Sequence, residues 1–266
     1  MTEAISSTPV QTSAVALFIS DLHLQEAHPR TTQAFYDFLN THARHAKQLY
    51  LLGDLFEYWA GDDDLETPYN QRIVDALRQI SDADVEVFWI AGNRDFLVGQ
   101  SFAQAAGLTL LSDPFVATIA GRRVALAHGD AQCTDDLGYM AFRAQVRNPQ
   151  WQQQFLSLPL TQRKTIIAGA RDESRKEQQN KSMDIMDVNQ QAIAALFAET
   201  GTDTLIHGHT HRPALHVNNA VGVTLSRYVL SDWDYDAITP RGGWILIDSD
   251  GVIRRFDHDG SEFQRI

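Results

Sequence analysis

Residues 15–23 read VALFISDLH and residues 48–54 read QLYLLGD. Each stretch is a short apolar run that ends in a polar turn with an aspartate, which is typical of a buried strand in an α/β protein. Similar runs occur at residues 85–91, 123–127, 204–206 and 244–247. Residues 31–46 and 70–80 place apolar side chains at helical spacing between the first three runs. This alternation of strand and helix predicts parallel pairing of those strands.

The composition excludes several classes of protein. With 266 residues, 44% of them hydrophobic, the chain is long enough for one large domain or two small ones. A net charge of −12 provides no overall positive field, so we expect no nucleic-acid partner. The single cysteine cannot form an intramolecular disulfide, which favours a reducing compartment such as the cytoplasm. No apolar run approaches the ~18 residues of a membrane-spanning helix.

The chain divides into three parts by pattern. Residues 1–13 are polar and lack the features of a secretion signal, so we expect a disordered leader. Residues 14–134 and 199–266 carry the strand pattern and form the predicted core. Residues 135–198 read as helices and are interpreted as a helical lid insertion. The segment 135–181 holds eight Lys or Arg against five acids, an excess of +3 in an acidic chain.

Five of the predicted strands end in residues that bind metals. The stretches are SDLH at 20–23, GD at 53–54, GNRD at 92–95, HGD at 128–130 and HGHTH at 207–211. Each is weak alone, since about one Asp-x-His is expected by chance in such a chain. Together they are informative, because ligands of open α/β sheets bind beyond the carboxyl ends of the strands. The candidate ligands are Asp21, His23, Asp54, Asn93, His128, His207 and His209.

Oxygen and nitrogen donors without a thiolate suit manganese, iron or zinc. Seven donors are too many for one ion, so we predict two ions bridged by a carboxylate, for which Asp54 is the candidate. His211 is a candidate for orienting a ligand. The acidic run at residues 62–64 is interpreted as solvated, and Cys133 as structural.

Arg94 points to the substrate. A guanidinium disperses charge over two phosphoryl groups through paired hydrogen bonds, and a phosphate leaving group needs no proton. The residue therefore favours a diphosphate substrate. The alternative is that Arg94 only forms an ion pair with Asp95 or with another carboxylate.

In this order the motifs resemble the calcineurin-like metallophosphoesterase superfamily, from about residue 15 to the C-terminus. Most members carry His at the position of Arg94. With arginine at this position, the GNRD motif resembles that of a narrower group, the UDP-2,3-diacylglucosamine pyrophosphohydrolases of Gram-negative lipid A synthesis. Further stretches that resemble this group are GDLFE at 53–57, CTDD at 133–136, KS at 181–182, IMDVNQ at 185–190 and HGHTHRP at 207–213.

The resemblance implies a four-layer α/β/β/α metallophosphoesterase sandwich with a helical cap insertion. It implies two Mn²⁺ ions per subunit, and their ligands divide into two sets. The first ion is assigned to Asp21, His23, Asp54 and His209, and the second to Asp54, Asn93, His128 and His207. Substrate contacts map onto Asn93, Arg94, Asp136, Ser174, Gln178, Lys181 and His207. At Gln178 relatives carry Asn, so this chain departs from the pattern there.

The implied reaction is hydrolysis of UDP-2,3-diacylglucosamine at the α-phosphorus by a hydroxide activated by two metals. Its products are UMP and 2,3-diacylglucosamine 1-phosphate, and the catalytic candidates are Asp54, Asn93, Arg94 and His207. The amphiphilic substrate implies peripheral contact with the cytoplasmic face of the inner membrane. We expect no obligate protein partner.

Three questions stay open: the class of activity, the role of the insertion's apolar residues and the role of its basic residues. The chain could be another dinuclear metallophosphoesterase that acts on nucleotides or phosphodiesters, or a binding module that has lost catalysis. The apolar residues of the insertion either form a groove for acyl chains, worth ~0.8 kcal/mol per buried CH₂, or pack on one another. Its basic residues either hold phosphates and lipid headgroups or lie on solvated helix faces.

Overall fold

The structure, a computed structural model, describes residues 14–178, 187–220 and 222–263. The predicted leader lies outside these residues. The strands are β1 (Ala14–Ile19), β2 (Gln48–Leu51), β3 (Glu86–Ile90), β4 (Leu108–Leu111), β5 (Phe115–Ile119), β6 (Arg122–Ala127), β7 (Thr204–His207), β8 (Ala214–Ala220), β9 (Val223–Val229), β10 (Gly243–Asp248) and β11 (Ile253–Asp257). The helices are α1 (Pro29–Thr41), α2 (Pro68–Ser81), α3 (Gln100–Ala106), α4 (Leu137–Val146), α5 (Pro149–Leu156), α6 (Leu160–Gln178) and α7 (Gln190–Thr200).

In the described part of the chain, the strands form two sheets. The first has six strands in the order β11-β10-β1-β2-β3-β4, and the second has five in the order β5-β6-β7-β9-β8. The run β1 to β4 is parallel, with Leu17 opposite Leu49 and Leu49 opposite Val87. Strands β6, β7 and β9 are parallel as well. The predicted parallel pairing is confirmed, and strands of each sheet end at a common edge.

Alternation along β1 and β2 creates the layers. Phe18 and Tyr50 point into the space between the two sheets, where their rings stack at 5.0 Å between centroids. Leu17 and Leu49 point the other way and pack under α1, α2 and α3. On the far side, α7 packs Ile193, Leu196 and Phe197 against the second sheet. The predicted α/β/β/α sandwich is confirmed. Burial of each large apolar side chain contributes about 1.5–3 kcal/mol.

Most of helix α7 falls inside the insertion boundaries expected from the sequence, but its apolar face forms the outer layer of the core. Helices α4, α5 and α6 are the part of that segment that extends from the sandwich. Helix α5 begins with an Asn148 cap that accepts from the backbone N–H of Gln150, and Gly201 ends α7 in the left-handed conformation, as their sequence signals predict.

Strands β4, β5, β8, β9 and β11 were not anticipated from the sequence. Polar residues of β8 and β9, including His216, Asn218 and Thr224, interrupt the apolar run that marks a buried strand. No helix among the described residues has the length and hydropathy needed to cross a membrane.

Candidate metal centre

The loops after the strands are joined by backbone hydrogen bonds, which bring the candidate ligands together. The N–H of Asp21 donates to Gly53 O at 3.1 Å, and the N–H of His23 donates to Asp54 O at 3.0 Å. In the second sheet the N–H of Gly208 donates to His128 O at 2.9 Å. Each strand end is therefore fixed relative to its neighbour.

Several candidate ligands adopt a left-handed backbone that side chains other than glycine rarely adopt. These residues have φ between 48° and 68°: Asp21, His23, Asp54, His209 and His211. Such conformations cost about 1–3 kcal/mol each and persist where the surroundings impose them. Within the described residues only Asp84 and Ala120 share this feature, so the strain is concentrated at the strand ends.

Two groups of side chains place ligand atoms within 4.8 Å of one another. The first group is Asp21, His23 and His211, and the second is Asp21, Asp54 and His128. His211 Nε2 lies 3.5 Å from Asp21 Oδ1 and 3.3 Å from His23 Nε2. The carboxylate common to both groups is Asp21, whereas the sequence points to Asp54 as the bridge. His211, for which the sequence suggests an orienting role, lies among the candidate ligand atoms themselves.

Asp21 has one carboxylate oxygen committed to the protein and one directed into the cluster. Oδ2 accepts from Ser20 Oγ at 2.6 Å and from the His209 N–H at 2.8 Å. Oδ1 is buried without a hydrogen-bond partner among the described residues. Although burial would raise it, the pKa of Asp21 is held well below its usual range by His211 and other imidazoles. An ionised, unsatisfied buried oxygen fits a cation.

His128 and Asn93 converge on a second point. The fully buried His128 ring places Nδ1 2.9 Å from Leu52 O, which makes Nδ1 the donor and leaves Nε2 for the cluster. Nε2 lies 2.9 Å from Asn93 Oδ1 and 3.8 Å from Asp54 Oδ1. Burial lowers the pKa of His128, but Asp54 and other carboxylates outweigh it and raise the pKa to about 9. His128 Nε2, Asn93 Oδ1 and Asp54 Oδ1 therefore surround one point, and these three acceptors attract a positive charge, either a proton or a metal ion.

His207 and His209 lie in the same pocket but outside the two groups. His207 is buried, with Nδ1 2.9 Å from Gly208 O and Nε2 3.1 Å from Arg227 Nη1. Burial and the Arg227 charge lower the pKa of His207 to about 4. The His209 ring lies 5.0 Å from the His128 ring, and burial in the pocket lowers the pKa of His209 to about 3. Both imidazoles are neutral at pH near 7, as metal ligands must be.

Asp95 holds the loops that carry Asp54 and Asn93. Its carboxylate is fully buried and accepts from four backbone N–H groups, with the shortest distances at Leu55 (2.8 Å) and Gly92 (2.9 Å). The ion pair between Arg94 and Asp95 that the sequence left open is therefore not observed. The Arg94 side chain lies instead with Nη1 3.8 Å from Glu57 Oε1, so the other half of that alternative, an ion pair with another carboxylate, is observed.

Of the seven predicted substrate contacts, four fall within the insertion boundaries expected from the sequence, and Asn93, Arg94 and His207 belong to the core. Asp136 caps α4 and accepts from the Tyr139 N–H at 3.0 Å. Ser174 and Gln178 belong to α6, but their side chains lie outside the described part of the chain. Lys181 lies outside the described residues altogether.

The basic residues of the insertion whose side chains the structure describes contact the core. Lys164 Nζ lies 2.6 Å from the buried Asp64, and Arg163 contacts Asp63. The acidic run at 62–64 is thus a docking point for α6, not a solvated loop. Nearer the cluster, Arg147 donates to Gly92 O at 2.9 Å.

Arg143 and Tyr139 fix α4 to the loop after β6. Arg143 Nε and the Tyr139 hydroxyl lie 2.9 and 2.6 Å from Asp130 Oδ2. Asp130 is fully buried, so these two contacts supply partners for a charge that would be costly to bury alone. Helix α4 is therefore anchored at Asp130, two residues after the candidate ligand His128.

The chain matches the calcineurin-like phosphoesterase family over residues 15–213. It is 52% identical over 222 residues to the UDP-2,3-diacylglucosamine hydrolase of Aromatoleum aromaticum, with 84% of this chain and 90% of that protein covered. It is 48% identical to the protein of the same name from Pseudomonas putida strain W619, with 88% and 95% covered. A solved structure of Vps29 from Entamoeba histolytica with zinc aligns with a TM-score of 0.44 at 16% identity, covering 93% of this chain and 95% of that one. Because the family match spans residues 15–213 and the two UDP-2,3-diacylglucosamine hydrolases are 48–52% identical over most of the chain, the chain belongs to the calcineurin-like phosphoesterase family.

Proposed function

We propose that this chain hydrolyses the pyrophosphate bond of UDP-2,3-diacylglucosamine, giving UMP and 2,3-diacylglucosamine 1-phosphate, a reaction of lipid A biosynthesis. The observation that carries the proposal is the convergence of Asp21, Asp54 and His128 at one strand edge, with Arg94 beside them. Relatives that carry the name of this activity cover most of the chain.

The donors present fit two divalent cations. We propose Mn²⁺, because the donors are carboxylate, amide and imidazole without thiolate. The first ion is assigned to Asp21, His23, Asp54 and His209, with His211 as a further candidate, and the second to Asp54, Asn93, His128 and His207. When bound, such a pair would supply an activated water nucleophile and neutralise charge on the phosphoryl group under attack.

The residues around the cluster have separate tasks. Asn93 and His207 contribute polar groups where charge develops on the α-phosphoryl oxygens. Arg94 is positioned by its own backbone, because its N–H donates to Asp54 Oδ1 at 2.7 Å. Its side chain is partly exposed at the mouth of the site, where a guanidinium can pair with both phosphoryl groups. The lipid phosphate then departs without a proton, so no general acid is required at this position.

The insertion supplies the surface for acyl chains. Val146 and Phe155 are buried, and Trp151 stacks on Phe155 at 4.9 Å between ring centroids, so part of the apolar set packs within the protein. Four apolar side chains of the insertion are 40–78% exposed: Leu137, Phe142, Leu156 and Ile166. We propose that they contact acyl chains and the cytoplasmic face of the inner membrane, each buried CH₂ contributing ~0.8 kcal/mol.

Phosphorus NMR of the products formed in ¹⁸O-water tests the reaction. We expect the isotope in UMP, which identifies the α-phosphorus as the position attacked, and none in the lipid phosphate. Asp54→Ala and His128→Ala should abolish turnover while circular dichroism shows an intact fold. A kcat/KM for a chromogenic phosphodiester above that for UDP-2,3-diacylglucosamine would favour the alternative phosphoesterase.

A further inference from the structure

Glu57 lies where the metal centre, Arg94 and the insertion meet. It follows the Gly-Asp turn of β2 by three residues, and its side chain is only 15% exposed. Its Oε2 lies 3.3 Å from His23 Nδ1, and its Oε1 lies 3.8 Å from Arg94 Nη1. The same Oε1 contacts the guanidinium of Arg171. One carboxylate thus faces three nitrogen-bearing side chains from three segments of the chain.

Glu57 Oε2 lies 3.3 Å behind the His23 imidazole, on the side away from the cluster, although this contact does not have hydrogen-bond geometry. With Nδ1 directed to Glu57, Nε2 is the nitrogen that faces His211 and the Asp21 carboxylate. A carboxylate behind a metal-binding histidine fixes the ring orientation and increases the basicity of the other nitrogen. Glu57 is in the position to do both for His23.

The contact with Arg171 connects Glu57 to α6. The Arg171 guanidinium also lies over the Tyr58 ring, 5.7 Å from its centroid, so it docks against two adjacent residues of the core. Helix α6 has a separate attachment at Lys164, whose partner Asp64 is in neither cluster of candidate ligands. Helix α6 is therefore held by one contact that reaches the metal centre, at Arg171, and by contacts at Arg163 and Lys164 that do not.

We propose that Glu57 is a positioning residue that couples the docking of α6 to metal binding at His23. Undocking of α6 removes Arg171 from Glu57, which frees the carboxylate and loosens the His23 ring. By reciprocity, a cation on His23 that orders Glu57 favours docking of Arg171. The inference rests on the proposed metal site and on no assumption about the substrate.

The test uses Mn²⁺ alone with the full chain. Free Mn²⁺ is measured by electron paramagnetic resonance for the wild type, Glu57→Gln, Arg171→Met, the double variant and Lys164→Met. We expect Glu57→Gln to weaken Mn²⁺ binding by about 10–100-fold and Arg171→Met by about fivefold or more. The double variant should be no weaker than Glu57→Gln, because both changes break one linkage.

Lys164→Met is the matched control, since it removes a charged contact of α6 without touching Glu57. It should leave Mn²⁺ affinity within about twofold of the wild type. Hydrogen exchange adds a readout that does not depend on turnover. Mn²⁺ should slow exchange of the α6 amides in the wild type and not in Glu57→Gln.

Unchanged Mn²⁺ affinity in Arg171→Met would overturn the coupling, and so would an equal loss in Lys164→Met. Arg171→Met decides the question even where Glu57→Gln fails to fold, because Arg171 lies on the insertion. A wild-type chain that binds no Mn²⁺ also overturns the inference. A chain that binds Mn²⁺ but releases no UMP from UDP-2,3-diacylglucosamine refutes the proposed function alone.

Discussion

Replacing Gly92 with alanine tests whether the position of the Asp54 carboxylate controls activity. A Cβ at residue 92 would lie 2.1 Å from Asp54 Oδ1 and 2.3 Å from the Asp54 backbone nitrogen. The backbone of Gly92 is outside the left-handed region, so alanine adds no strain of its own there. Any effect of the substitution therefore comes from the steric contact between the new Cβ and Asp54.

The size of the displacement follows from these distances. Real Cβ atoms essentially never approach another heavy atom closer than 3.0 Å, so Oδ1 has to move by about 0.9 Å relative to residue 92. A misplacement of about 1 Å in a catalytic group lowers the rate by roughly 10²-fold. That loss corresponds to about 2.7 kcal/mol of transition-state stabilisation. Overpacking should lower the free energy of unfolding by about 1–3 kcal/mol.

The assay is kcat/KM for UDP-2,3-diacylglucosamine, together with Mn²⁺ stoichiometry and urea denaturation. The matched control is Gly169→Ala in α6, where a Cβ has no neighbour within 4 Å. This control should retain activity and gain up to about 1 kcal/mol of stability from helix propensity. The reasoning fails if Gly92→Ala keeps its rate within about threefold of the wild type.

Three further predictions concern neighbouring groups. Asp95→Asn leaves one acceptor oxygen for four N–H donors, so two buried donors without an acceptor should lower the free energy of unfolding by about 2–6 kcal/mol in urea denaturation. A change below about 1 kcal/mol would contradict the role of Asp95. The pKa of His128 is raised to about 9 by nearby carboxylates despite its burial, so a cation has to displace a proton below that pH. Mn²⁺ affinity should therefore rise by up to about tenfold per pH unit between about pH 7 and 9 and then level off. If calorimetry at about pH 7.5 detects no proton release when Mn²⁺ binds, this prediction is refuted. Arg94→His should lower kcat/KM for UDP-2,3-diacylglucosamine by more than about tenfold and lower that for a chromogenic phosphodiester less; equal losses would indicate a general structural role.

Some contacts at the centre join residues that the sequence does not show to be neighbours, even though GDLFE at 53–57 includes one of them, Glu57. Glu57 is one acid among 34 Asp and Glu, and its contacts with His23 and Arg171 join residues 34 and 114 positions away. Arg227 lies on a strand that the apolar pattern did not reveal, and it is found beside His207 only after β7 and β9 pair. The role of Asp95 could have been predicted from the GNRD loop that contains it. Backbone N–H groups in such a tight loop need an acceptor, and an aspartate in the loop can provide one.

The basic excess of the insertion illustrates the same difficulty. Composition shows that the segment is basic, but the partners of Arg163 and Lys164 lie 100 residues earlier in the chain. A charge count cannot distinguish a cation that faces solvent from one that neutralises a buried carboxylate. For this reason the run at 62–64 was interpreted as solvated, although Asp64 is buried.

The amino-acid sequence by itself determined the strand and helix alternation of the first half and the set of candidate ligands at the strand ends, whereas the four-layer class was implied only by the resemblance of its motifs to a known family. The alternation and the ligand set follow from local periodicity and from the rule that parallel strands end at one edge, both of which depend only on the order of residues. The tertiary structure decided which donor atoms meet, that Asp21 is common to both groups, and which carboxylate holds α6. These depend on side-chain directions and on contacts between distant segments, which arise only when the sheets pack and water is excluded.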